Sequence, residues 1–123
     1  MPRISHLYFK TATILFLAGI IMGLHMGISG DHSAYPAHAH LNLLGWVSCA
    51  IFGSYFALNP AKAGGRLPII QFAIYTIGVV VMIVGLYLMA LGNPAMDALV
   101  GIGSFIVLAG VLLFTAIVFS RDA

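Results

Sequence analysis

The stretch LPIIQFAIYTIGVVVMIVGLYLMAL, Leu67–Leu91, decides the fold. It carries no charged side chain and exceeds the roughly 20 apolar residues that a helix needs to cross the hydrocarbon core of a bilayer. Inside that core no water is present to pair with the backbone, so a segment of this kind satisfies its N–H and C=O groups internally, as a helix. Working outward, three further windows pass the same test, from about Thr11 to Ile28, Ala37 to Leu58 and Met96 to Phe119, and none of the four contains Lys, Arg or Glu. Breaker chemistry separates them: Ser29-Gly30-Asp31 and Tyr35-Pro36, then Asn59-Pro60 through Gly64-Gly65 to Pro68, then Gly92-Asn93-Pro94. Asn93 is placed to cap the fourth helix, with Pro94 at its first position, where a missing N–H is no loss. The sequence therefore predicts an all-α, integral membrane bundle of four transmembrane helices, a single unit over residues 1–123.

Composition excludes the alternatives. Of the 123 residues, 62% are hydrophobic and 7% charged, too few charges to solvate a globule, so the bilayer is the expected solvent. The net charge of +2 is scattered over five basic residues and forms no patch, which argues against nucleic acid. A lone cysteine, Cys49, makes neither a disulfide framework nor a cysteine zinc site. The apolar run after Lys10 is longer than the core of a cleaved leader, and cleavage would leave three helices. Arg3, Lys10, Lys62, Arg66 and Arg121 all fall on one side of the four windows, which predicts cytoplasmic termini.

The informative residues are histidines. His25, His32, His38 and His40 gather at the opposite, outer side, as in a protein of a bacterial-type inner membrane with its site toward the periplasm, whereas His6 lies near the N-terminus. Solvation at the interface accounts for His6 and His32. His25, His38 and His40 lie on or beside spanning segments, where ionisable groups are costly and by default functional. Successive helical residues turn by about 100°, so His38 and His40 point about 200° apart and cannot chelate one ion together. The face of His38 continues through Asn42, Gly45, Cys49 and Gly53 with almost no bulk, which suits either a close helix neighbour or the wall of a flat tetrapyrrole. A second close-packing stripe, Gly19-x-x-x-Gly23-x-x-x-Gly27, runs down the first helix, with His25 off it by about 200°. Asp97, at the start of the fourth helix, either complements the helix N-terminus or accepts a hydrogen bond from a ligating imidazole. Trp46 and the tyrosines read as packing or interface residues rather than redox relays, and the methionines as filler rather than haem or copper(I) ligands, with Met22 and Met26 the one i, i+4 pair.

The segment Ala37-His38-Ala39-His40-Leu41-Asn42-Leu43-Leu44-Gly45-Trp46 resembles the His-x-His stretch of the haem-copper oxidase catalytic-subunit superfamily, which includes the nitric oxide reductases and, more distantly, NnrS-type haem membrane proteins. In that superfamily one histidine of the pair holds a low-spin haem and the other a high-spin haem, near the outer end of an out-to-in helix. The resemblance implies haem b held by His38 and His40, with His25 an alternative axial partner and Asn42 and Gly45 beside the cofactor. The superfamily's catalytic subunit has twelve helices in three four-helix arcs; a chain of one arc implies a homotrimer, with a haem between successive copies. No adjacent His-His pair and no His-x-x-x-Tyr motif is present, so the copper half of an oxygen-reducing centre lacks its usual ligands. The expected activity is electron transfer or binding of oxygen or nitric oxide, with an outer redox protein or quinone as partner. Two other readings stand beside it: copper or zinc binding or transport by His25, His32, His38 and His40, or a structural accessory subunit that packs through its glycine stripes.

Overall fold

The computed structural model describes residues 1–121, all in helices and their connections. Four helices are long and apolar enough to cross a membrane: α1, Arg3–Ser29; α2, Tyr35–Leu58; α3, Leu67–Ala90; and α4, Pro94–Phe119. Three of the expected windows are met within a few residues. The first helix begins at Arg3 rather than near Thr11, because Ile4, Ser5 and Tyr8 are buried on one face while Lys10 and His6 point outward. Hydropathy alone does not register such a turn, in which an amphipathic extension carries polar groups on its open side.

Each boundary has a local cause. Gly30 closes α1 with φ 73°, its N–H bonded to Met26 O at 3.0 Å, the left-handed stop that glycine adopts without a Cβ clash. Pro36 stands in the first turn of α2, where no N–H is needed. Pro60–Lys62 forms a single 3-10 turn before α3, and Lys62 Nζ donates to Val118 O at 2.8 Å, which brings the α2–α3 connection to the end of α4. At α4 the chain enters through a 3-10 turn, Pro94–Met96. Asn93 caps it with its backbone carbonyl, which accepts from Met96 N–H at 3.0 Å, and not with its side chain.

The helix that carries the His-x-His stretch is not uniform. Tyr35–His40 is α-helical, Leu41–Val47 is a π-helical segment, and Ser48–Leu58 is α-helical again. In the π segment Ser48 N–H bonds to Leu43 O instead of Leu44 O. Leu44 O then accepts from Tyr75 Oη of α3 at 2.7 Å, so the widened turn is pinned by a neighbouring helix.

Glycine sets how closely the helices approach. Along α3 and α4, a Cβ on Gly103 would stand 2.6 Å from Met82 N, on Gly110 2.8 Å from Tyr75 Cα, and on Gly78 2.7 Å from Val107 N. No side chain fits there, and the two backbones meet directly, the close approach that small residues allow between apolar helices. The four helices converge on an aromatic cluster in the half of the bundle that holds Arg3, Lys62 and Arg66. Tyr8 meets Phe52 at 5.4 Å and Phe72 at 4.9 Å between ring centres, and Phe52 meets Phe114 at 4.3 Å. Within it the fully buried Tyr8 hydroxyl donates to Gln71 Oε1, and Gln71 Nε2 donates to Gly110 O at 3.2 Å. This polar chain ties α1, α3 and α4 together.

Candidate histidine site

The structure sends the two histidines of helix α2 to different surroundings. His38 turns inward to α1: a Cβ on Gly23 would meet its Cε1 at 3.0 Å. Asn42, one turn further on, donates from Nδ2 to His38 Nε2 at 3.3 Å and lies against Gly19. His38 Nδ1 and Asn42 Oδ1 are both buried without a hydrogen-bond partner. The remaining residues of this face pack the same way, Gly45 against Leu15 and Gly53 against Phe9 and Tyr8, with Cys49 fully buried. The small-residue wall considered for a tetrapyrrole, including Asn42 and Gly45, is covered by α1 within the chain. The stripe on α1 has the matching role at Gly19 and Gly23, whereas a Cβ at Gly27 would meet nothing within 4 Å.

His40 is the opposite case. It is exposed, and its Nδ1 lies 2.7 Å from Pro36 O. A carbonyl only accepts, so Nδ1 carries the proton and donates it, leaving the Nε2 lone pair open. Below it the exposed residues Leu43, Val47 and Ile51 continue along the same side of α2 and form an apolar strip with no charge. His32 is held similarly, Nδ1 donating to Gly30 O at 3.1 Å, but it stands in the exposed connection between α1 and α2.

His25 faces elsewhere. It is exposed near the end of α1 and lines a cavity of about 490 Å3 with residues of the 31–34 connection and of α3, a cavity that His40 does not line. Asp31, at the same cavity, accepts from Ser33 N–H at 3.0 Å. That backbone bond, together with the Ser33 side chain and the nearby His25 and His32, holds its carboxyl below the usual carboxylate range. Asp97 is exposed in the first turn of the regular part of α4 and bonds to no histidine among the described residues. Its position answers to the helix N-terminus.

Among the described residues no three His, Cys, Asp or Glu side chains come together as a metal-binding group, so His25, His32, His38 and His40 do not form one centre within a chain. The divergence of His38 and His40 is legible from their separation of about 200°, whereas the outward turn of His40 in particular follows from His38 packing against α1. The Tyr8–Gln71 link is not legible: its only sign is a single amide in an otherwise apolar segment, and the partner lies 63 positions away. Comparison with known proteins returns no match to a family model, to a curated protein or to a solved structure.

Proposed function

We propose that this chain is a membrane haem b-binding redox protein in which His40 holds the iron and three copies assemble as a ring. The observation that carries the reading is the setting of His40: Nδ1 engaged by Pro36 O at 2.7 Å, Nε2 open on an exposed ring. An imidazole prepared as a ligand has this form, because the second hydrogen bond sets the tautomer, orients the ring and raises the basicity of the ligating nitrogen. The strip of Leu43, Val47 and Ile51 offers a tetrapyrrole an apolar bed along the same helix. The resemblance of the segment Ala37–Trp46 to the haem-copper oxidase superfamily supports the choice of haem over a bare metal ion, and so does the dispersal of the histidines.

His38 has a positioning role in this reading, fastening α2 to α1 so that His40 faces out. The five basic side chains at one end favour insertion with cytoplasmic termini, which puts His40 near the periplasmic surface of a bacterial-type inner membrane. In a ring of three, each contact is head-to-tail, so the strip on one copy is covered by a different face of the next and the cofactor is enclosed between them. Held by His40 through Nε2, a haem would supply one-electron chemistry or binding of a diatomic gas.

The test is a reduced-minus-oxidised visible spectrum of the detergent-purified protein with a pyridine haemochrome assay, repeated after carbon monoxide is added. The expected result is a Soret band, lost in His40→Ala and retained in His6→Ala. A carbon monoxide shift assigns gas binding; sharp bands indifferent to it assign a second imidazole from a neighbouring copy and electron transfer. No Soret band after haem reconstitution, or full haem occupancy in His40→Ala, overturns the proposal.

A further inference from the structure

The cavity of about 490 Å3 at the histidine end has no part in the haem reading. It opens between α1, α3 and the 31–34 connection, and Met22, His25 and Met26 line it from α1. Met22 stands three residues before His25 and four before Met26, so it neighbours each of them on the helix surface and lies between them, while all three border the same cavity. Met26 is buried, Met22 is half-buried and His25 is exposed. Neither ring nitrogen of His25 has a hydrogen-bond partner among the described residues, so one is available as a lone pair whichever carries the proton.

We infer that Met22, His25 and Met26 form a binding site for Cu(I). Two thioethers and one imidazole are a soft, neutral, low-coordinate set, and thioether sulfur selects Cu(I) among biological metals. Zinc favours thiolate, imidazole and carboxylate, and calcium and magnesium demand several oxygens; no group of that composition is present here among the described residues. Asp31 also lines the cavity and supplies a negative charge that draws in a cation without being needed as a ligand. Since His40 and its apolar strip lie outside this cavity, the copper site stands independently of the haem.

Purified full-length protein is titrated anaerobically with Cu(I) against a chromophoric chelator, and the loaded protein is studied by X-ray absorption at the copper edge. One Cu(I) per chain with sulfur neighbours is expected. The Met22→Leu/Met26→Leu variant keeps side-chain volume and should keep its helices by circular dichroism. Its affinity should fall on the order of 100-fold, at least the loss that follows removal of a residue merely supporting a metal ligand. Met22→Leu alone, at the less buried of the two positions, should weaken binding in the same direction and serves if the double variant does not fold. Failure to hold copper against the chelator, a copper shell of nitrogen and oxygen only, or undiminished affinity in the methionine variants overturns the inference. Haem content measured on the same samples separates the two proposals, because copper binding is expected with or without haem.

Discussion

The ring of His38 occupies the space that a side chain at Gly23 would take, with Cε1 at 3.0 Å, Nε2 at 3.5 Å and Nδ1 at 3.7 Å from the position of the missing Cβ. This contact decides what the His-x-His pair can do. With His38 held between α1 and α2, the 200° step along the helix turns His40 to the outside, where Pro36 O sets its tautomer. A glycine on one helix thereby orients an imidazole on the next.

A bulky residue at Gly23 should displace His38 and loosen the α1–α2 contact. Gly23→Val is expected to lower stability by about 1–3 kcal/mol, the usual cost of overpacking, in thermal unfolding of the detergent-solubilised protein. Gly27→Ala, in the same stripe but with open space around it, should be neutral or gain up to about 1 kcal/mol from helix propensity.

The α3–α4 contact offers a second pair on a single helix. Gly103→Ala drives a methyl group into the Met82 backbone and should cost about 1–3 kcal/mol, because backbone cannot swing aside as a side-chain tip can. Gly101→Ala, two positions away with nothing within 4 Å, should leave the unfolding midpoint unchanged or slightly raised.

Tyr8→Phe leaves Gln71 Oε1 buried without its donor and should destabilise by about 1–3 kcal/mol. Tyr8→Phe combined with Gln71→Leu should cost less than the sum of the single changes, since the two groups share one hydrogen bond. A double-mutant cycle by chemical or thermal unfolding gives the coupling. Strict additivity would show that the Tyr8–Gln71 bond contributes nothing.

Tyr75→Phe removes the donor to Leu44 O and should cost about 1 kcal/mol. The π segment Leu41–Val47 should then relax, and amide hydrogen exchange should quicken there more than in Ser48–Leu58. Uniform exchange across α2 would disconnect Tyr75 from the widened turn.

Asp31 should titrate below an ordinary carboxylate, because Ser33 N–H and the Ser33 side chain bond to its charged form. For a depressed pKa, the stabilisation is present above the unfolded-state value and disappears as pH falls through the folded-state value. Carbon-detected NMR of the Asp31 carboxyl measures this, and in Asp31→Asn the acid-side dependence of the connection's amide shifts should vanish.

The number of helices, their order and their approximate spans are legible in the chain because each is a local property. An uncharged run such as Leu67–Leu91 satisfies its own backbone, and glycine and proline mark its ends. The divergence of His38 from His40 is equally local, since helical geometry alone sets it. Which of the two would face outward is not local: it depends on α1 lying over Gly23 and Gly19, a contact between residues far apart in sequence. The π segment also belongs to the tertiary structure, where Tyr75 of another helix takes up the carbonyl that the wide turn releases. The same holds for the early start of α1, which follows from Tyr8 reaching Gln71 across the bundle. Apolar periodicity carries no record of a single polar pair that closes over 63 positions, because that pair acquires its strength only when folding excludes every other partner.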